Sequence, residues 1–258
     1  MTHPHPAGDF DYEQYGQGYA RQRRADPRIA ARVHAALGAA RSVLNVGAGA
    51  GSYEPAGRQV VAVEPSAAMR AQRPPSLGPV IHAIAEYLPL ASRSFDAAMA
   101  LITVHQWSGL EQGLGELRRV ARGPVVVMTF EREALARYWL ADYVPELVAA
   151  EFRRYPPLDV IAAALGGAVT VHPVSIPIDC TDGFGEAYYA RPERFLDPEV
   201  RRWQSAWGFV TGEVQARFVA RLGEDLRSGA WERRYGGWRR QPWFEGSLRL
   251  VVSRPAPW

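Results

Sequence analysis

The chain has 258 residues, 47% hydrophobic and 22% charged, with 24 Gly, 20 Pro, one Cys and a formal net charge of +3. This composition suits one large domain or two small ones around a buried core, and excludes a disordered, collagen-like or heptad-repeat protein. No run approaches the ~20 apolar residues of a membrane span, residues 1–30 hold no apolar signal-peptide core, and Cys180 has no second cysteine to pair with. The expectation is therefore a soluble, cytoplasmic protein with no membrane partner. All 30 basic residues are arginine and lie scattered rather than in a stripe, so no nucleic-acid partner is expected either.

Residues 1–26 are polar and aromatic. Pro27 opens a helical pattern in which Ile29, Val33, Ala36 and Leu37 recur at helix spacing. A short apolar run, Val43–Val46, collapses into Gly47-Ala-Gly49-Ala-Gly51, which is placed to turn into a helix. A second run, Val60–Val63, ends at Glu64-Pro65-Ser66, and a short helix is expected around Ala67–Gln72. Further strands are expected over Val80–Ala83, Phe95–Val104, Val125–Thr129, Ala168–Val174 and Leu248–Ser253. An amphipathic helix covers Leu110–Ala121, and a helical segment runs over 132–165. Short buried strands alternating with helices imply a parallel α/β sheet. The stretch 178–245 is long, helical in spacing and rich in aromatics. Connections of that length are usually functional.

The glycine loop is the first functional signal. Glycines at the end of a buried strand let the backbone approach a ligand closely and adopt positive φ. Glu64, ending the next strand, is placed to accept hydrogen bonds from a ribose diol, over the carboxyl ends of the strands. A dinucleotide fingerprint wants its third glycine at position 52, where this chain has Ser52.

With these residues in place, the chain resembles the class I S-adenosylmethionine-dependent methyltransferases, particularly the type 11 methyltransferase domain. The matching pieces are Val43–Gly51, Val61–Ser66 with Met69, Ala85–Leu90 followed by Ser94-Phe95-Asp96, and Thr103-Val104-His105. The resemblance implies a doubly wound, Rossmann-like sheet of seven strands, the last antiparallel, with helical lid insertions. It implies S-adenosyl-L-methionine as cofactor, with Asn45, Gly47, Ala48 and Gly49 at its methionine portion and Glu64 with Pro65 at the ribose. Met69, Ala85 and Glu86 would meet the adenine, and Thr103 and Val104 would pass close to the sulfonium. Two positions depart from the pattern: an acid is often found where this chain has Asn45, and another where it has Ile84. Tyr15, Tyr19 and Arg23 fall at i, i+4 and i+8 in a segment resembling the family's lid. Arg23 is placed to pair with the cofactor carboxylate; the same spacing also fits an exposed helix with a solvated arginine.

On the acceptor side, His105 and Trp107 follow the fourth strand, and Asp179-Cys180-Thr181-Asp182-Gly183-Phe184 follows the sixth. Both should emerge beside the cofactor. His105, Asp179 and Asp182 are the candidate catalytic groups, with His105 the better base near neutral pH; Trp107, Cys180 and Phe184 are the candidate substrate contacts. Asp and Gly are also ordinary turn residues. His3, His5, His34, His82 and His172 show no ligand spacing, so no metal is expected. The expected organisation is a lid segment over 1–26, a core over 27–177 with 246–258, and a substrate cap over 178–245. The expected activity is in-line methyl transfer to a small molecule by a monomer or homodimer. The alternatives are a nucleic-acid methyltransferase and a non-methylating protein that binds the same cofactor.

Overall fold

The computed structural model describes residues 10–16 and 18–255, apart from the side chains of residues 15, 21 and 22. Its centre is a seven-stranded sheet of β1 (Ser42–Val46), β2 (Gln59–Val63), β3 (Val80–Ile81), β4 (Ala97–Leu101), β5 (Val125–Phe130), β6 (Ala168–Pro173) and β9 (Leu248–Arg254). The order across it is β3-β2-β1-β4-β5-β9-β6. All pairs are parallel except those of β9, which runs antiparallel to β5 and β6. A two-stranded ribbon, β7 (Ile176–Pro177) with β8 (Trp243–Phe244), lies outside this sheet. Both faces of the central strands are covered, which is why Val125–Phe130 reads as an apolar run interrupted only by Thr129 and is buried throughout.

The helices preceding β5 are α1 (Tyr12–Tyr15), α2 (Tyr19–Gln22), α3 (Pro27–Ala36), α4 (Ala67–Arg70) and α5 (Leu110–Val120). Asp26 caps α3 by accepting from the Arg28 amide, with Pro27 at the first helical position, where its missing N–H is not needed. One face of the sheet packs on Ile29 and Val33 of α3. The other packs on Leu114 and Leu117 of α5 and on Ile161 of α9 (Leu158–Leu165).

The helical segment expected over 132–165 is four helices rather than one: α6 (Arg132–Leu135), α7 (Leu140–Tyr143), α8 (Pro145–Arg154) and α9. Pro145 and the pair Pro156-Pro157 interrupt the amide ladder. Residues 178–245 add α10 (Pro198–Arg202), α11 (Gly212–Arg227), α12 (Ala230–Tyr235) and several 3₁₀ turns. These pack on α7 and α8 around Trp139, whose ring meets Phe195 at 5.7 Å and Trp231 at 5.8 Å. Its indole N–H donates to the Tyr189 carbonyl at 3.0 Å.

The third strand stops at Ile81 and the fourth at Leu101, each shorter than the apolar run that suggested it. Beyond β4 the chain turns through Ile102, a β-branched residue at φ +53, into a 3₁₀ turn at Val104–Gln106. The glycine loop also differs from expectation: no helix follows it. Gly47, Gly49, Gly51 and Tyr53 all have positive φ, and Pro55 follows, so the segment stays a chain of turns. Strand order reverses between β1 and β4, and the crevice outside their carboxyl ends is the switch point where open α/β sheets bind ligands.

Candidate active site

A cleft of about 890 Å³ occupies that crevice. The glycine loop forms its floor, folded back as the Gly47 and Ala48 amides donate to the Val63 carbonyl at 2.9 and 3.1 Å. Gly47 sits at φ +67, and a Cβ there would fall 2.1 Å from Thr103 Oγ1. Only glycine satisfies both constraints.

Glu64 closes β2 with its carboxylate turned into the cleft wall. Oε2 accepts from the Gly49 amide at 2.7 Å and Oε1 from the Ser66 amide at 2.9 Å. Desolvation raises its pKa, and the two amide bonds oppose that rise. Ser66 caps α4 by accepting from the Met69 amide, which aims Met69 at the cleft. Asn45 donates through Nδ2 to Glu54 Oε1 at 3.0 Å, and Glu54 is held by Arg73 at 2.9 and 3.1 Å. The amide at position 45 therefore orders the loop through a buried ion pair.

Of the residues singled out in the sequence, Tyr19, Arg23, Asn45, Gly47, Ala48, Gly49 and Glu64 line the cleft. Pro65, Met69, Ala85, Glu86, Thr103, His105 and Trp107 line it too. Glu86 turns its carboxylate to the start of α5, accepting from Ser108 Oγ at 3.0 Å and the Gly109 amide at 2.8 Å. Val104 is not brought to the cleft; it is buried in the core against the opposite face. The Tyr15 side chain lies outside the described residues, as do His3 and His5.

Beyond the cleft lies a narrower cavity of about 50 Å³. The two share Tyr12, Tyr19, Arg23, Ile102, His105 and Gln106. The narrow cavity continues between Phe130, Tyr138, Tyr155, Phe184, Glu151 and Glu186. The His105 ring lies 4.6 Å from that of Tyr155, and its Nδ1 has no hydrogen-bond partner among the described residues. Desolvation, aided by the charges of Arg154 and Arg23, lowers its pKa well below the usual histidine range. The imidazole is neutral at pH 7 and is not the ordinary near-neutral base its reference pKa suggested.

The other acceptor-side expectations need correction. Asp179 is exposed and pairs with Arg28 at 2.7 Å. Asp182 is buried but committed, accepting from Arg23 Nε at 2.6 Å and from the Tyr53 hydroxyl at 2.7 Å. Cys180 is buried, its thiol pushed up to about 12 by desolvation. None of the three lines the cleft or the cavity. The reason is electrostatic: the 179–182 turn is drawn onto the N-terminal segment by Arg23 and Arg28, and only Phe184 of the group reaches the cavity.

Sequence reasoning missed Tyr12, Gln106, Phe130, Tyr138, Glu151, Tyr155 and Glu186. One signal was present for Glu151: it lies four residues from both Leu147 and Tyr155, an acid on an apolar helical face. Among the described residues, no group of three or more His, Cys, Asp or Glu side chains is disposed to hold a metal ion. Nor is any described helix long and apolar enough to cross a membrane.

A family model described as a methyltransferase domain, of the type 11 group, matches residues 44–128. A solved protein from Anabaena variabilis, described as a candidate methyltransferase from an antibiotic biosynthesis pathway, is 30% identical with a TM-score of 0.84. The match covers 90% of this chain and 98% of that one. The chain belongs to the S-adenosylmethionine-dependent methyltransferases. Two more distant structures share the fold. A Thermotoga maritima enzyme, described as a candidate histamine N-methyltransferase, is 17% identical, covering 94% and 97% of the two chains with a TM-score of 0.56. A Bacillus halodurans protein described as a candidate methyltransferase is 14% identical, covering 88% and 99%, with a TM-score of 0.53. No curated protein matches the chain in sequence.

S-adenosyl-L-methionine is the methyltransferase's cofactor, and the cleft fits it. The floor is a glycine cradle that a single Cβ would fill, the wall carries a buried carboxylate, and Met69 offers an apolar surface.

Proposed function

We propose that this methyltransferase acts on a small-molecule acceptor held in the narrow cavity beyond the cofactor cleft. The observation that carries the reading is the continuity of the two spaces: His105, Ile102 and Tyr19 wall both, and buried rings wall much of the remainder of the cavity. A cavity walled by aromatics with a few polar groups is the usual form of a small-molecule site.

In this reading, residues 178–245 with α6–α8 form the cap on the acceptor side, and the N-terminal segment covers the cofactor. Gly47 and Gly49 hold the methionine portion, Glu64 the ribose hydroxyls, and Met69 with Ala85 the adenine. Bound S-adenosylmethionine supplies a methyl group already activated by its sulfonium for in-line displacement. The chain's own task is to align the acceptor and exclude water, and alignment can supply up to ~7–11 kcal/mol of such a barrier. Against a nucleic-acid acceptor, several of the arginines are engaged with carboxylates, as in Arg73–Glu54, Arg119–Glu116 and Arg122–Asp96.

The test is release of S-adenosylhomocysteine when the enzyme meets a low-molecular-mass metabolite extract, with RNA and DNA as parallel acceptors. Release with the extract and not with nucleic acid supports the proposal; the reverse overturns it. Glu64→Ala should weaken cofactor binding by roughly 1.5–3 kcal/mol through loss of charge-assisted bonds to the ribose, read by calorimetry. Equal affinity in the two proteins would remove Glu64 from the site.

A further inference from the structure

We infer that the cavity selects a protonated amine, with Glu151 and Glu186 receiving the ammonium group among the rings of Tyr155, Phe130 and Tyr138. This rests on the small-molecule reading above and names the class of acceptor.

Glu151 projects from α8 into the cavity on the same face as Leu147 and Tyr155. Its carboxyl group makes no hydrogen bond with any described residue, so a half-buried acid faces the cavity unpartnered. Glu186 approaches from the 3₁₀ turn Gly185–Tyr188, is itself buried, and accepts the Ser247 amide on both oxygens at 3.0 and 2.9 Å. Much of the rest of the wall is aromatic, with aliphatic and polar side chains between the rings. His105 meets Tyr155 at 4.6 Å, Tyr155 meets Phe130 at 5.2 Å, and Phe130 meets Phe184 at 5.5 Å. Tyr138 completes it, held by donation from its hydroxyl to the Gly185 carbonyl at 3.2 Å.

A desolvated carboxylate without a partner is costly, and proteins keep such a group neutral or give it a cation. The nearby cations are already engaged: Arg23 with Asp182, and Arg154 with Ser205 and over the Phe209 ring. Glu151 titrates at about 7, raised by desolvation and by Glu186 and opposed by Arg154. Glu186 also titrates at about 7, raised by desolvation. A carboxylate pair facing aromatic rings is the chemistry that recognises an ammonium, through ion pairing and cation–π attraction. A group titrating near 7 is also suited to the next event. One N–H bond of the ammonium breaks, an O–H bond forms on Glu151, and the freed lone pair stays on nitrogen as the nucleophile.

The experiment passes a low-molecular-mass metabolite extract over a cation-exchange resin and presents the retained and unretained fractions to wild type and Glu151→Gln. The retained fraction should support S-adenosylhomocysteine release and raise the melting temperature of the wild-type complex with S-adenosylhomocysteine. Glu151→Gln should lose at least about 30-fold in turnover on that fraction, the effect of removing one partner of a buried charge pair. It should also lose the melting shift while binding S-adenosylhomocysteine as wild type does. Activity confined to the unretained fraction overturns the amine assignment and leaves the small-molecule reading standing. So does a Glu151→Gln protein that keeps both responses. Release with neither fraction overturns both readings.

Discussion

Arg23 and Asp182, 159 residues apart, meet as a buried ion pair in which Arg23 Nε donates to the carboxylate at 2.6 Å. Tyr53 donates its hydroxyl to the second carboxylate oxygen at 2.7 Å, and Arg23 Nη1 reaches the Tyr19 hydroxyl at 2.9 Å. Ser52 adds a bond from its hydroxyl to the Arg23 carbonyl at 3.1 Å. Three regions are thereby tied together: the N-terminal segment, the glycine loop and the 179–184 turn. The arginine expected to hold the cofactor's carboxylate lines the cleft and also fastens the N-terminal segment at its edge.

Removing one partner of this pair leaves the other buried and uncompensated, which typically costs about 3–5 kcal/mol. Asp182→Ala should therefore lower unfolding stability by that amount in urea titrations. An Arg23→Met, Asp182→Leu double variant should lie closer to wild type than either single change. A loss in Asp182→Ala below about 1 kcal/mol, the scale of an exposed pair, would mean that the pair is not a clamp.

Two glycines separate backbone strain from steric exclusion. Gly57 has φ +80 and open space where a Cβ would stand, so Gly57→Ala should cost only the left-handed strain, about 1–2 kcal/mol. Gly47→Ala adds a collision with Thr103 at 2.1 Å and should cost more, with cofactor affinity falling alongside. Chemical denaturation with calorimetry checks both, and equal costs at the two positions would show that the loop yields around Thr103.

The neutral state of His105 has a direct spectroscopic consequence. Its ring protons should show no titration across roughly pH 5.5 to 8, the range in which an ordinary histidine changes charge. NMR spectra read this, with the resonance assigned by its loss in His105→Ala. Desolvation and two nearby arginines oppose the imidazolium, so a midpoint near the reference value of about 6.5 would contradict this dry environment.

The cleft was legible in the sequence because its parts are local. A buried strand, a glycine turn and an acid ending the next strand are contiguous features, and Gly47, Glu64 and Met69 follow from them directly. The narrow cavity was not, because it is assembled from segments around residues 12, 106, 130, 151–155 and 184–186 that meet only through packing. Asp179 and Asp182 pointed the wrong way for the same reason: Arg23 and Arg28, which capture them, lie more than a hundred residues earlier. Many aromatics of 184–238 pack in the interior of this helical region, as Phe195, Phe218 and Trp231 show by complete burial.

Glu151 also predicts how stability depends on pH. In the unfolded chain a glutamate titrates near ~4.3, whereas in the folded protein Glu151 titrates at about 7. Between these values the folded state binds more protons than the unfolded one, so stability falls as pH rises, and the penalty is complete above the folded pKa. Below about pH 4 the group is protonated in both states and contributes nothing to the slope. Glu151→Gln, which keeps the shape and removes the charge, should match wild type near the acid end, at about pH 4.5. At about pH 8 it should be more stable by up to about 4 kcal/mol, the free-energy equivalent of such a shift. Urea unfolding of the two proteins across that range measures the difference directly. A Glu151→Gln protein that is no more stable than wild type at the alkaline end would show that the carboxylate is already compensated, and its place as an acceptor-binding group would fall with that result. A protein that gains stability while losing turnover would instead show that the residue is kept for function, at a cost to the fold that grows with pH.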